Sequence, residues 1–205
     1  MYSARRHKKR YITNLYNMHV TIRDMIFSII GIIISIPILI IVGVLIKLED
    51  GGPIFYTQQR IGKDEKEFTI YKLRTMKIDA DKHGNIWASK NDSRITKIGK
   101  VIRKTRIDEL PQFLNIMKGD MSLIGPRPEV LDLTLKFNEE IEGFIKRVKI
   151  KPGITGWAQV NGGYDLTPKE KYEKDMYYIK NRGFKLDILI ILKTINVIIF
   201  GHGAR

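Results

Sequence analysis

From Met25 to Ile46 the chain reads MIFSIIGIIISIPILIIVGVLI, without one charged residue. As a helix this stretch is roughly 33 Å long, about the hydrocarbon thickness of a bilayer. Uncharged runs of that length are rare in soluble domains, which argues against a buried core helix. Its length, and the lack of a small-residue cleavage site after it, argue against a removed signal peptide. The segment therefore predicts membrane attachment, and the rest of the fold must be built around it.

Two features bear on how it attaches. Pro37 lies in mid-segment, with Ser35 two residues before it. Proline removes a helical hydrogen bond and kinks the helix, and a serine hydroxyl can bond a nearby carbonyl. Both flanks are also basic, with Arg5, Arg6, Lys8, Lys9, Arg10 and Arg23 before the segment and Lys47, Arg60, Lys63, Lys66, Lys72, Arg74 and Lys77 after it. The positive-inside rule places both ends on the cytoplasmic side. A helix that enters the membrane, bends near Ser35 and Pro37 and returns satisfies both flanks. A re-entrant, monotopic anchor is thus expected, with a single crossing as the alternative, since the rule weakens for long downstream domains. Residues 1–19 are basic with interleaved tyrosines and suit anionic lipid, at about 1 kcal/mol per basic residue near the surface. A solvated tail is the plainer reading.

The 205 residues allow one domain plus an appendage. The division expected is a basic N-terminus and membrane anchor over residues 1–50 and a membrane-associated domain over residues 51–205. Lys and Arg number 36 against 22 Asp and Glu, a net charge of +14. That balance favours a polyanionic partner: nucleic acid, an anionic membrane face or phosphorylated small molecules. Cysteine is absent, which removes disulfides, Cys-ligated zinc and thiol nucleophiles. No P-loop, dinucleotide fingerprint or nucleic-acid motif is present.

After a turn-rich boundary at Glu49–Pro53, Ile54–Gln59 and Glu67–Arg74 read as the strands of a hairpin. Lys72 and Arg74 then share one strand face, as an anion site or as solvated surface. Residues 77–95 read as a polar surface loop, and His83 within it has no metal-ligand spacing around it. Thr96 caps a helix over Lys97–Lys104. Pro111 is tolerated only in a first helical turn, so a second helix starts close to Asp108 and stops at Gly119. Asp108 and Glu109 follow Arg103, Lys104 and Arg106 in sequence. A carboxylate at a helix start, ringed by cations, either caps the helix or serves chemistry on a phosphate. Arg127 lies between Pro126 and Pro128, and an arginine aimed by such a loop suits bidentate anion binding; an exposed arginine on a structural turn is the alternative. Lys151–Gly163 is a glycine-rich loop with aromatic and amide groups able to touch a ring or sugar. Thr167 and Pro168 open a further helix. Leu186–Phe200 is too short and polar to span a membrane, and reads as an interfacial or a core helix.

Taken together these stretches resemble the bacterial sugar transferases, specifically the small monotopic phosphoglycosyl transferases. The resemblance is carried by the anchor with its Ser35/Pro37 break, Gly52-Pro53-Ile54-Phe55, Gln59-Arg60-Ile61-Gly62 and Tyr71-Lys72-Leu73-Arg74-Thr75-Met76. It continues through Asp108-Glu109-Leu110-Pro111-Gln112, Lys118-Gly119-Asp120-Met121-Ser122, Gly125-Pro126-Arg127-Pro128, Lys151 to Gly162 and Asp175-Met176-Tyr177-Tyr178. It implies a predominantly helical α+β domain on the cytoplasmic face of the bacterial inner membrane, with a re-entrant helix, a small hairpin and interfacial helices. It also implies transfer of a sugar phosphate from a UDP-sugar to undecaprenyl phosphate with release of UMP, as the first step of a surface glycan that downstream glycosyltransferases extend.

On this resemblance Asp108 is the nucleophile and Glu109 helps hold Mg²⁺. Arg103 and Arg127 bind phosphate, and Lys72, Arg74 and Asp175 contribute to substrate binding. Arg106 and Gly163 depart from the residues many relatives carry there, Ser and Arg, which bears on substrate identity. The anchor reads Ser35-Ile36-Pro37 rather than an adjacent Ser-Pro. With no further membrane helix before the anchor, the chain resembles the minimal catalytic form.

Overall fold

The computed structural model describes residues 2–78, 80 and 92–200. The loop expected over residues 77–95, His83 included, falls largely outside them, as do the side chains of the basic N-terminal residues. Helix α1 runs unbroken from Tyr2 to Asp50 with Pro37 inside it. Ser35 Oγ donates to the Gly31 carbonyl one turn back, not to the carbonyl of Ile33 that Pro37 deprives of its partner. Such back-bonding from serine bends helices without ending them.

One narrow stripe of α1 faces the rest of the protein. It includes Tyr16, Arg23, Asp24, Ser28, Ser35 and Ile46, all buried. Small residues on it permit close approach. A Cβ on Gly31 would lie 2.7 Å from the Phe113 ring, and one on Gly43 would lie 3.1 Å from Ile54. The other faces, with Ile26, Ile30, Ile33, Ile34, Ile40 and Ile41, stand exposed. The most apolar window of this helix is only 17% buried, so α1 is no core helix.

Strands β1 (Phe55–Ile61) and β2 (Glu67–Leu73) form the expected antiparallel hairpin, pairing Phe55 with Leu73 and Tyr56 with Lys72. Helix α2 (Lys97–Lys104) is capped by Thr96 Oγ1 accepting from Gly99 N–H. The next turn differs from expectation. Arg106 is left-handed at φ 57°, and Ile107–Gln112 is a 3₁₀ segment leading into α3 (Phe113–Lys118), which ends at left-handed Gly119. Strand β3 (Ser122–Ile124), helix α4 (Leu131–Glu140), a 3₁₀ segment at Phe144–Lys149, strand β4 (Gly153–Thr155) and helix α5 (Trp157–Val160) follow. Helix α6 (Pro168–Asn181) opens on a full capping box between Thr167 and Glu170. Helix α7 (Phe184–Phe200) buries Asp187 and Ile190 and exposes Ile188, Leu192, Ile195 and Ile199, so it is half core, half apolar surface.

Strands β3 and β4 pair in parallel, which draws two stiff loops across each other. Gly153 N–H donates to the Pro126 carbonyl and Gly125 N–H to the Thr155 carbonyl, both at 2.9 Å. A Cβ on Gly153 would lie 2.0 Å from Gly125 N, so only glycine fits at the crossing. A buried polar knot joins α1 to this frame. Asp187 accepts from Tyr16, Tyr178 and Arg23, and Asp24 accepts from Leu123 N–H. At the other end of the apolar stretch, Ile46 packs with Leu73 and Ile102, and Asp50 pairs with Arg74 at 2.6 Å.

Candidate active site

The hairpin, the 3₁₀ segment and the crossed loops enclose a cavity of about 320 Å³. Asp108 reaches it from the second position of the 3₁₀ segment, Lys72 from β2, Arg127 from the Pro-Arg-Pro turn, Asp175 from α6 and Arg147 from the preceding 3₁₀ segment. Arg103, Arg106 and Gly163 also line it.

Asn115 sets the distance between hairpin and acid pair. It is fully buried on α3; its Oδ1 accepts from Tyr71 N–H at 3.1 Å and its Nδ2 donates to the Thr69 carbonyl at 2.7 Å. Its amide thus continues the ladder along the free edge of β2 and pins α3 against the strand that carries Lys72.

The two acids differ sharply. Glu109 is buried, with Lys72 Nζ 3.3 Å from Oε1 and Arg127 Nη2 on the same oxygen. Burial alone raises its pKa, but Arg127 and Lys72 outweigh burial and hold the carboxyl well below the usual range. Asp108 is equally buried, yet among the described residues its carboxylate has neither a hydrogen bond nor an ion pair. Burial, then the charge of Glu109, pushes its pKa up against the pull of Lys72, Arg127 and Arg103. A carboxylate oxygen facing a cavity, short of partners and close to cations, has the setting that attack on a phosphate requires.

Arg103 also faces the cavity, and its buried Nη1 has no hydrogen-bond partner among the described residues. An unmatched guanidinium nitrogen is a ready donor to a phosphate oxygen. Arg74 also lines the cavity, but its guanidinium is engaged at the end of α1. It pairs with Asp50, holding that acid down to about 2, and donates to the Pro53 and Met76 carbonyls. Its role in this structure is to tie the end of α1 to the hairpin. Asp175 meets Arg147, Nε to Oδ2 at 2.7 Å, rather than opening freely into the cavity; burial pushes its pKa up while Arg147 opposes.

Arg147 went unnoticed in the sequence. Its Nη2 donates to the Arg127 carbonyl at 3.0 Å, and its guanidinium lies 4.7 Å over the Phe144 ring. A chain of contacts therefore runs from Asp175 through Arg147 to Arg127 and Glu109. Its only sequence trace is an arginine in the basic run Lys146–Lys151, whose partner is remote. Trp157 is stacked on Tyr177 and covered by Lys193, while Ala158, Gln159 and Gly163 of the same loop border the cavity.

A relative from Aeromonas hydrophila, named UDP-N-acetylgalactosamine-undecaprenyl-phosphate N-acetylgalactosaminephosphotransferase, is 48% identical over 185 residues, covering 89% of this chain and 44% of its own length. A Bacillus subtilis (strain 168) protein, named putative undecaprenyl-phosphate N-acetylgalactosaminyl 1-phosphate transferase, is 54% identical over 127 residues, 62% of this chain and 71% of its own. The UDP-glucose:undecaprenyl-phosphate glucose-1-phosphate transferase of Escherichia coli (strain K12) is 38% identical over 177 residues, 84% of this chain and 38% of its own. The chain thus spans less than half the length of the Aeromonas and Escherichia relatives. The family model of the bacterial sugar transferases matches residues 15–201, and the chain belongs to that family.

Proposed function

We propose that this chain transfers a sugar phosphate from a UDP-sugar to undecaprenyl phosphate through a covalent intermediate on Asp108, the first step of a bacterial surface glycan. The observation that carries this reading is the unpartnered Asp108 carboxylate in a cavity walled by cations. In the first half-reaction an Asp108 oxygen attacks the sugar-linked phosphorus. The bond from that phosphorus to the bridging oxygen breaks, UMP leaves with that oxygen, and an acyl phosphate remains. In the second, a phosphate oxygen of undecaprenyl phosphate attacks the same phosphorus. The bond from phosphorus to the aspartyl oxygen breaks, the carboxylate returns, and a lipid diphosphate sugar departs. Arg103 holds phosphate oxygens; Lys72 and Arg127 fix Glu109 and offset the charge that builds beside it.

The donor set fits Mg²⁺. Glu109 Oε2 and both Asp108 oxygens have no protein partner among the described residues, and no group of three or more candidate ligands occurs among those residues. A hard ion that takes one or two carboxylates and completes its shell with substrate oxygens and water suits such a pair. When bound at Glu109, Mg²⁺ supplies charge neutralisation on the diphosphate.

For membrane placement the reading is a monotopic anchor that leaves the site at the cytoplasmic face, where a soluble nucleotide sugar and a lipid phosphate both reach it. Both flanks of the apolar stretch are tied to one body, through Asp24 to Leu123 and through Asp50 to Arg74. Crossing would draw the charged domain packed on one stripe of α1 into hydrocarbon, where each charge costs about 2.5–3.5 kcal/mol or more, and this supports a monotopic anchor. Cysteines introduced at Ser3 and Lys63 in this cysteine-free chain should both be labelled from the cytoplasmic side alone; labelling from opposite sides would mean a crossing.

Activity is tested in detergent with Mg²⁺, undecaprenyl phosphate and a panel including UDP-N-acetylgalactosamine and UDP-glucose, by UMP release. Wild type turns over one or more donors and Asp108→Asn none. UMP release by Asp108→Asn at the wild-type rate refutes the covalent mechanism.

A further inference from the structure

The cavity is polar and cationic around Asp108 but has an apolar lip. Phe55 and Ile78 both line it, yet stand 51% and 61% exposed. No other large apolar side chain on the cavity wall is as exposed among the described residues. The two sit where α1 hands over to the hairpin. A Cβ on Gly52 would lie 2.9 Å from Ile78 Cγ1, and Pro53, two residues before Phe55, gives its carbonyl to Arg74. Arg74 in turn grips Asp50, the last residue of α1. The lip is therefore fixed to the end of the apolar helix.

From the lip the path to the acids is short. Phe55 pairs with Leu73, and its neighbour Tyr56 pairs with Lys72, whose Nζ is 3.3 Å from Glu109. The cavity wall offers cations for a phosphate, and its lip offers exposed hydrocarbon at the end of the apolar helix. The sugar and diphosphate of a nucleotide sugar gain nothing from that lip. A phosphate on a long hydrocarbon chain uses both.

Resting on the function proposed above, we infer that Phe55 and Ile78 form the port for the isoprenoid end of the lipid acceptor. They grip its first isoprene units at the membrane surface while the phosphate passes inward toward Lys72, Arg103 and Asp108. The port selects for chain hydrophobicity and takes no part in donor binding.

The test compares wild type with Phe55→Ser, Ile78→Ser and the double substitution in detergent, with Phe55→Leu and Ile78→Leu as rescue variants. Both positions are exposed, so folding is expected to survive. The acceptor KM should rise about tenfold in the double variant, the scale of one buried apolar side chain, with the donor KM unchanged. Phe55→Leu should behave as wild type, because the port needs an apolar surface and not a ring. An unchanged acceptor KM overturns the inference. So does a donor KM that rises in step without rescue by leucine, which would instead make Phe55 a stacking platform for the base. A second readout is independent of turnover: undecaprenyl phosphate alone should raise the Tm of wild type and not of the double variant. If no donor reacts, the parent reading fails, and a lipid-induced Tm rise that persists in the double variant then overturns the port by itself.

Discussion

Replacing Asn115 by alanine tests whether the acid pair is held by the edge of the hairpin. The substitution strips partners from Tyr71 N–H and the Thr69 carbonyl. Both point away from β1, so no strand can take them up. A buried backbone group left without a partner costs about 1–3 kcal/mol. Two such groups, partly relieved by water entering the space of the lost amide, give about 2–4 kcal/mol. For a chain of this size that lowers Tm by about 5–15 °C. Function should fall as well, because Asn115 is what keeps Lys72 on β2 within 3.3 Å of Glu109. Thermal unfolding in detergent, followed by UMP release below the transition, measures both. Asn115→Asp sharpens the test: one oxygen still accepts from Tyr71, but the other faces the Thr69 carbonyl, so at neutral pH this variant should be no more stable than Asn115→Ala. A Tm within 1 °C of wild type for Asn115→Ala would show that the hairpin and α3 are held together by other contacts.

Asp108→Asn should abolish transfer yet raise Tm at neutral pH, since burial and Glu109 push the Asp108 pKa up. A raised carboxyl pKa means stability lost as pH rises through it, so the Tm gain of the variant should be largest at neutral pH and shrink toward pH 4; a constant gain would contradict the assignment. Arg127→Gln should do the opposite to Glu109, whose depressed pKa contributes stability above the unfolded value of about 4.3 and loses it only as pH falls through the folded one. The variant should be less stable than wild type at pH 7, with the difference closing in acid, and a pH-independent difference would place the effect in the loop backbone instead. Asp187→Ala removes the acceptor shared by Tyr16, Arg23 and Tyr178 and should destabilise by about 3–5 kcal/mol, read as a Tm loss with faster proteolysis of the N-terminal part of α1; unchanged proteolysis would mean that the knot does not hold the anchor.

What the sequence disclosed here followed the range of each signal. The hairpin, the Thr96 cap, the stop at Gly119 and the helix opening at Thr167 and Pro168 are local, each written within a few residues, and each is in place. The β3–β4 pair is three residues a side and thirty apart, too short to show a period. Helix α4 begins after Val130, which supplies no side-chain cap, and so announced nothing. Arg147 matters only through partners that the fold brings to it. The glycines of Lys151–Gly163 were legible as a stiff, glycine-rich loop; the backbone-against-backbone approach at Gly125 and Gly153 needs the parallel pairing to exist.

The acid pair shows the same limit most clearly. Adjacency in sequence suggests a shared task, but a 3₁₀ segment turns about 120° per residue, so neighbouring side chains must diverge. The left-handed turn at Arg106 aims that segment so that Glu109 meets Lys72 and Arg127 while Asp108 faces the cavity without a hydrogen-bond partner among the described residues. One acid is thereby neutralised by the protein, and the other is left for a substrate to engage. That asymmetry, and not the presence of two carboxylates, is the ground for proposing Asp108 as the reacting group.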